Sequence, residues 1–132
     1  MAKKIEAKTI LVIEDEADVR GFAFRVLELE GYQVLQAGDG EEGLRLLREN
    51  PTINLVLLDL RLPLMDGWTV LRRMRSEPEF SSIPVVVFSA SAGLEKQRQA
   101  LSRGVADYLV KPLSAATLKQ TIARVFQREA EG

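Results

Sequence analysis

The chain has 132 residues, a common size for one domain, and 46% of them are hydrophobic, enough for an ordinary core but not for a second folded unit. The 18 Lys and Arg balance 19 Asp and Glu, which leaves no electrostatic footprint for DNA, RNA or an anionic membrane. Cysteine and histidine are both absent, which excludes disulfides, thiolate chemistry, a Ser-His triad and imidazole-ligated metals; any metal must be a hard cation held by oxygen.

No stretch approaches the length of a membrane span, and the opening Met1-Ala2-Lys3-Lys4-Ile5-Glu6 has no apolar signal core, so a soluble, cytoplasmic chain is expected. Strand and helix patterns alternate along the chain, the mark of a parallel α/β sheet. Thr9 to Ile13 is an apolar strand, and Val19, Phe22, Ala23, Val26 and Leu27 then recur at helical spacing until Gly31. Tyr32 to Ala37 alternates and predicts a second strand near an edge. Asp39 is placed to cap a helix bearing Leu44 and Leu47, with Glu41 and Glu42 in its first turn, and Asn50-Pro51 ends it.

Leu55-Val56-Leu57-Leu58 reads as a strand buried on both faces, and it closes on Asp59. The next helix starts near Gly67, with Asp66 as its cap, presents Val70, Leu71 and Met74, and breaks at Ser76-Glu77-Pro78. Ile83 to Phe88 is the fourth strand. The helix after it, near Gly93 to Ser102, has a thin apolar face of Leu94, Ala100 and Leu101, which predicts weak packing and freedom to move. Ala106 to Val110 is the fifth strand, and Ser114 caps a last helix showing Leu118, Ile122 and Val125. The expected domain spans residues 8–128, with 1–7 and 129–132 as flexible ends.

In an open parallel sheet the ligand crevice lies beyond the carboxyl ends of the strands, so Asp59 stands in a place where function is expected. Glu14, Asp15 and Glu16 follow the first strand and bring acids to the same rim. On its own, such a triplet suits the positive end of the following helix. Crowded with Asp59, it calls for a compensating cation, and Mg²⁺ is the natural one for an all-oxygen site. Strand four ends in Ser89-Ala90 and strand five in Lys111-Pro112, which adds a hydroxyl and an ammonium to the acids.

Four segments in this order carry a close resemblance to the receiver domain of two-component response regulators: 11–16 (LVIEDE), 58–67 (LDLRLPLMDG), 87–90 (VFSA) and 104–112 (GVADYLVKP). The resemblance covers about residues 8–126. It implies a flavodoxin-like, doubly wound sheet of five parallel strands in the order 2-1-3-4-5. It further implies that Asp59 accepts a phosphoryl group from a phosphohistidine, which this chain, lacking histidine, must find on a partner: a sensor histidine kinase or a phosphotransfer protein.

By the same resemblance Glu14, Asp15, Asp59 and the backbone carbonyl of Arg61 would hold Mg²⁺, and Lys111, Ser89 and the Ala90 amide would contact the phosphoryl group. Ser89 and Tyr108 would form the switch: the hydroxyl closes on the phosphate, the tyrosine swings inward, and the surface of helix four, strand five and helix five changes. The domain is then a signalling phosphoacceptor rather than an enzyme. Its downstream target is a protein the sequence does not identify, with phosphorylation-dependent dimerisation left open. No direct contact with nucleic acid or membrane is expected, and whether the chain stands alone or belongs to a longer regulator stays open.

Glu14 stands where aspartate is frequent in the family, Ser89 where threonine is commoner, Leu64 where small or polar residues are frequent, and Val105 where alanine is usual. Arg61 and Ser91 fall at positions that modulate the lifetime of the phosphoryl group. An aspartyl-nucleophile phosphatase would need a second acid where Arg61 stands, and a flavin binder would have its phosphate repelled by Glu14, Asp15 and Glu16. The remaining alternative is a receiver-like interaction module that is never phosphorylated.

Overall fold

The computed structural model describes residues 7–132. Five strands, β1 (Thr9–Ile13), β2 (Gln33–Ala37), β3 (Ile53–Asp59), β4 (Val85–Ser89) and β5 (Asp107–Val110), alternate with five helices. The helices are α1 (Ala17–Leu29), α2 (Gly40–Glu49), α3 (Gly67–Ser76), α4 (Leu94–Ser102) and α5 (Ala115–Glu131). All strand pairs are parallel, as the alternation of strands and helices predicts, and their order, β2-β1-β3-β4-β5, is the one the receiver-domain resemblance implies. α5 continues through residues 129–131, part of the stretch set aside above as a flexible end; residues 1–6 of the other lie outside the described residues.

The unbroken apolar runs of β1 and β3 have a plain cause. Successive side chains of a strand point to opposite faces, and here both faces are covered. Ile10, Val12, Leu55 and Leu57 pack with Ala23, Leu27, Leu118 and Ile122 of α1 and α5. Leu11, Ile13, Val56 and Leu58 pack on the other side with Leu44, Leu47, Leu71 and Met74 of α2 and α3. β2 lies at the edge and keeps the half-exposed pattern that its alternation predicts.

The expected caps form. Asp39 accepts from the Glu42 amide at 2.8 Å, Asp66 from Thr69 at 2.9 Å and Ser114 from Thr117 at 3.0 Å. β4 starts at Val85, two residues after Ile83, because Pro84 has no amide to give the ladder. Of α4 only Ala100 is buried, while Leu94 and Leu101 are exposed, so its packing is as thin as its sequence suggests.

The loop after Asp59 is tightly built. The Gly67 amide donates to the Leu60 carbonyl at 3.0 Å, and the Met65 amide donates to the Pro63 carbonyl at 2.7 Å, forming a three-residue turn. Leu64, the middle of that turn, has φ 66°, a left-handed backbone that suits glycine or asparagine better than leucine. This gives the physical reason for small or polar residues at that position. Val105, for its part, is buried against the α2–α4 side of the core.

Gly67 seats α3 directly on the end of β3. A Cβ at this position would meet the Asp59 carbonyl oxygen and would lie 2.6 Å from the Leu60 Cα, both backbone atoms that cannot rotate away. Gly21, inside α1, would place a Cβ only within ordinary contact of the flexible Arg25 side chain, 3.5 Å away. Gly67→Ala should therefore destabilise the fold by about 1–3 kcal/mol, whereas Gly21→Ala should stabilise it by about 0.5–1 kcal/mol. Urea denaturation of the two variants beside the parent checks both signs.

Candidate functional site

Parallel pairing aligns the strand ends. Ile13 sits beside Leu58, and Asp59 beside Phe88, so Glu14 and Asp59 emerge on neighbouring strands at one level of the rim. The Glu14 amide still pairs with the Ala37 carbonyl at 3.0 Å, which carries the strand geometry one residue past β1. Asp59 falls in step with Leu55 and Leu57, and Glu14 with Ile10 and Val12, so both carboxylates take the side of the sheet that α1 and α5 cover. One carboxylate oxygen from each of Glu14, Asp15 and Asp59 lies within 4.8 Å of the others.

Lys111 reaches this cluster from the end of β5. Its Nζ is 2.5 Å from Glu14 Oε1, 3.2 Å from Asp59 Oδ2 and 4.0 Å from Glu16 Oε1. The ammonium also stands 4.9 Å from the centre of the Phe88 ring. The Lys111 amide donates to the Ser89 carbonyl at 2.8 Å, which fixes the chain before the cis bond to Pro112. Asp59 Oδ1 accepts from the Arg61 amide at 3.1 Å, and Glu14 Oε2 from the Glu16 amide at 3.0 Å.

Burial dominates the electrostatics. Glu14 is fully buried, and this desolvation pushes its pKa from 4.5 up to about 7, against the Lys111 and Glu16 hydrogen bonds; the charge of Asp59 adds to the rise. For Lys111, burial lowers the pKa, but the Glu14 hydrogen bond and the negative charges of Asp59 and Glu14 outweigh it, and the net shift is upward. One ammonium thus faces three carboxylates. The set is made only of hard oxygen donors with a surplus of negative charge, and such a set fits Mg²⁺.

The other predicted residues divide by face. Ser89 is buried, but it falls in step with Val85 and Val87, on the side of the sheet facing α4 rather than the side of Asp59. Its Oγ accepts from the Ser91 amide at 3.2 Å, and no hydrogen bond joins it to Asp59 among the described residues. Tyr108 shares that side. It is already buried, with its hydroxyl donating to the Ser91 carbonyl at 3.0 Å. Ala90 is exposed and borders, with Lys111, Phe22 and Leu113, an apolar groove beside the site. Arg61 is represented at Asp59 by its amide; its side chain is exposed.

Arg20 is a functional residue that the sequence patterns above pass over. Its Nη1 donates to the Glu14 carbonyl at 2.7 Å and to the Asp15 carbonyl at 3.4 Å, so a guanidinium from α1 grips the acidic loop from behind. A cation one turn into a helix, where the dipole disfavours it, was the signal available.

The Glu14 shift carries a sign. An acid whose pKa is raised on folding adds stability that is complete below its unfolded value, here 4.5, and that is lost as pH climbs through about 7. In chelator, melting temperature should therefore fall between about pH 5 and 8, and Glu14→Gln should flatten that limb and melt higher than the parent at its upper end. A pH series of thermal melts measures this. An unchanged slope in the variant would remove Glu14 as the cause.

A family model for the response regulator receiver domain matches residues 10–123. A probable transcriptional regulator ycf27 of Porphyridium aerugineum is 38% identical over 125 residues, which are 94% of this chain and 50% of that protein. The sensor histidine kinase TmoS of Ectopseudomonas mendocina is 35% identical over 123 residues, 93% of this chain and 12% of that protein. The crystal structure of a CheY-like response regulator receiver domain protein from Methanospirillum hungatei superposes with a TM-score of 0.83 at 30% identity, covering 96% of this chain and 100% of that one. The chain spans about half the length of the curated ycf27 regulators it matches. The stretch matched by the family model takes in every strand end that brings an acid, the hydroxyl or the lysine to the rim, and the chain belongs to the response regulator receiver domain family.

Proposed function

We propose that this chain is a cytoplasmic phosphorylation switch of a two-component system, in which Asp59 takes a phosphoryl group from a phosphohistidine on a sensor histidine kinase or phosphotransfer protein. The observation that carries this reading is the grip on Asp59: a buried carboxylate at a strand end, with one oxygen on the Arg61 amide and the other on Lys111. Among the described residues no helix is long and apolar enough to cross a membrane.

In the transfer an Asp59 oxygen attacks phosphorus, the bond from phosphorus to the donor nitrogen breaks, and the electron pair leaves with the imidazole, which takes up a proton. Such a transfer asks the protein for alignment and charge neutralisation rather than for acid-base chemistry. Glu14, Asp15, Asp59 and the Arg61 carbonyl would hold Mg²⁺. When bound there, it supplies positive charge that lets an anionic phosphoryl group approach an anionic carboxylate. Lys111, already on Asp59 Oδ2, is placed to pair with a phosphoryl oxygen, and the Ala90 amide is a further donor.

Ser89 and Tyr108 are tied through one residue. Ser91 gives its amide to the Ser89 hydroxyl and its carbonyl to the Tyr108 hydroxyl, so a movement of Ser89 towards Asp59 would draw on the contact that holds Tyr108. The Ser89 lone pair is engaged with that amide while its proton can donate to a phosphoryl oxygen. Tyr108 borders the thinly packed α4, and a change there would reach the α4, β5 and α5 surface that a downstream protein reads.

With acetyl phosphate and Mg²⁺, intact-mass measurement should show one added phosphoryl group that is absent in Asp59→Asn and in excess chelator. A mass gain that survives in Asp59→Asn would sink the assignment. Ser89→Ala should still gain the mass at Asp59, yet the Ser91 amide and Tyr108 ring resonances should no longer shift on phosphorylation. Shifts equal to those of the parent would break the proposed link.

A further inference from the structure

Away from the acidic rim, the face made by α3 and the end of α4 holds a cavity of about 210 Å³ lined by Trp68, Leu71, Arg72, Arg75 and Arg103. Three guanidiniums border it and no carboxylate does. Elsewhere Arg45 is met by Glu42 and Glu49, Arg73 by Glu41 and Arg124 by Asp107, while isolated arginines such as Arg25, Arg48 and Arg61 form no ion pair among the described residues. Around this cavity Arg72, Arg75 and Arg103 form no ion pair among the described residues.

Each of the three is held differently. Arg75 is half-buried and donates only to backbone carbonyls, those of Ser81, Ile83 and Gly104 at 3.2, 3.0 and 3.4 Å, so its charge is fixed in place without a counter-ion. Arg103 lies over the Trp68 ring, its Cζ 4.6 Å from the ring centre, a cation–π contact that leaves the guanidinium without a carboxylate partner. Arg72 is exposed one turn along α3 from Trp68. The chain as a whole carries a net charge of −1, so this is a local basic spot on a slightly acidic surface.

We infer that this face docks an acidic segment of a partner protein, with a carboxylate paired by Arg72 and Arg103 and an apolar neighbour laid on Trp68. Three observations select that occupant. Guanidinium forks match carboxylates in shape and charge, and nothing of opposite sign within the lining competes. The cavity is smaller than the roughly 300–1,000 Å³ of pockets for drug-sized ligands, which suits a single side chain of a longer segment. Half-exposed tryptophan flanked by arginine is also the composition in which binding energy concentrates at protein interfaces.

Docking here has a structural consequence. Arg103 is the C-cap of α4, and Ala100 is the one buried residue of that helix, so a carboxylate shared with Arg72 would tether α4 to α3. The inference stands apart from phosphorylation of Asp59 and fails or succeeds separately from it.

Trp68 is the sole tryptophan, and its emission reports on the cavity directly. The probe is an acetylated, amidated hexapeptide of composition Glu-Glu-Leu-Asp-Glu-Leu, titrated at fixed ionic strength into the unphosphorylated protein, with anisotropy of the labelled peptide as a second readout. Saturable binding is expected, weakened at least about tenfold by R72E and by R103E and left intact by R48E, a charge reversal on α2. Absence of saturable binding overturns the proposal, as does equal loss in R48E. Binding of inorganic phosphate or citrate as tight as that of the peptide also overturns it, in favour of a small-anion site.

Discussion

The arrangement around Asp59 depends on one ammonium. Lys111 touches Glu14 and Asp59 at once, and both carboxylates are almost wholly out of water. Without a positive charge between them, two buried acids on neighbouring strands would repel each other, and desolvation would neutralise one of them. The raised pKa of Glu14 shows that the lysine only partly relieves this pressure. The site is therefore held in a state that a divalent cation would improve, which is the electrostatic condition for metal-assisted chemistry at an oxygen-only site.

That ammonium can reach the acids because of the sheet beneath it. Lys111 follows β5, two strands from β3 in the order β2-β1-β3-β4-β5, and must cross the end of β4 to arrive. It does so over the Phe88 ring, whose residue pairs with Asp59 in the ladder. The same pleat sends Ser89 and Tyr108 to the opposite side, under α4. Asp59 and the pair Ser89 and Tyr108 thus sit on two faces of one sheet, and Ser91, beyond the end of β4, bonds to both members of that pair. A packed sheet does not transmit small displacements evenly, but a loop at its edge that bonds to both residues can.

Much of this was legible in the sequence where local physics sufficed. Strand type followed from the apolar runs, helix starts from Asp39, Asp66 and Ser114, and the weakness of α4 from its shortage of apolar residues. The rim residues were legible because strand ends in a parallel sheet share a side, so acids, hydroxyl and lysine could be assigned to one crevice before any distance was known. Contacts between residues that no periodicity links were hidden. Arg20 behind the acidic loop, the three guanidiniums around Trp68, and the seating of Gly67 on the Asp59 carbonyl all arise from pairs of elements meeting.

The sequence by itself determined the sheet, its helices and the inventory of reactive groups at the rim, because hydrophobic period, caps and strand ends are properties of short stretches of chain. Tertiary structure alone decided which oxygen Lys111 binds, that Glu14 is buried while Asp15 stays exposed, and that Ser89 faces α4 and not Asp59. Those outcomes depend on ladder register and on which helix covers which face. Both are set by the packing of distant segments, where a shift of one residue turns every side chain of a strand to the other side.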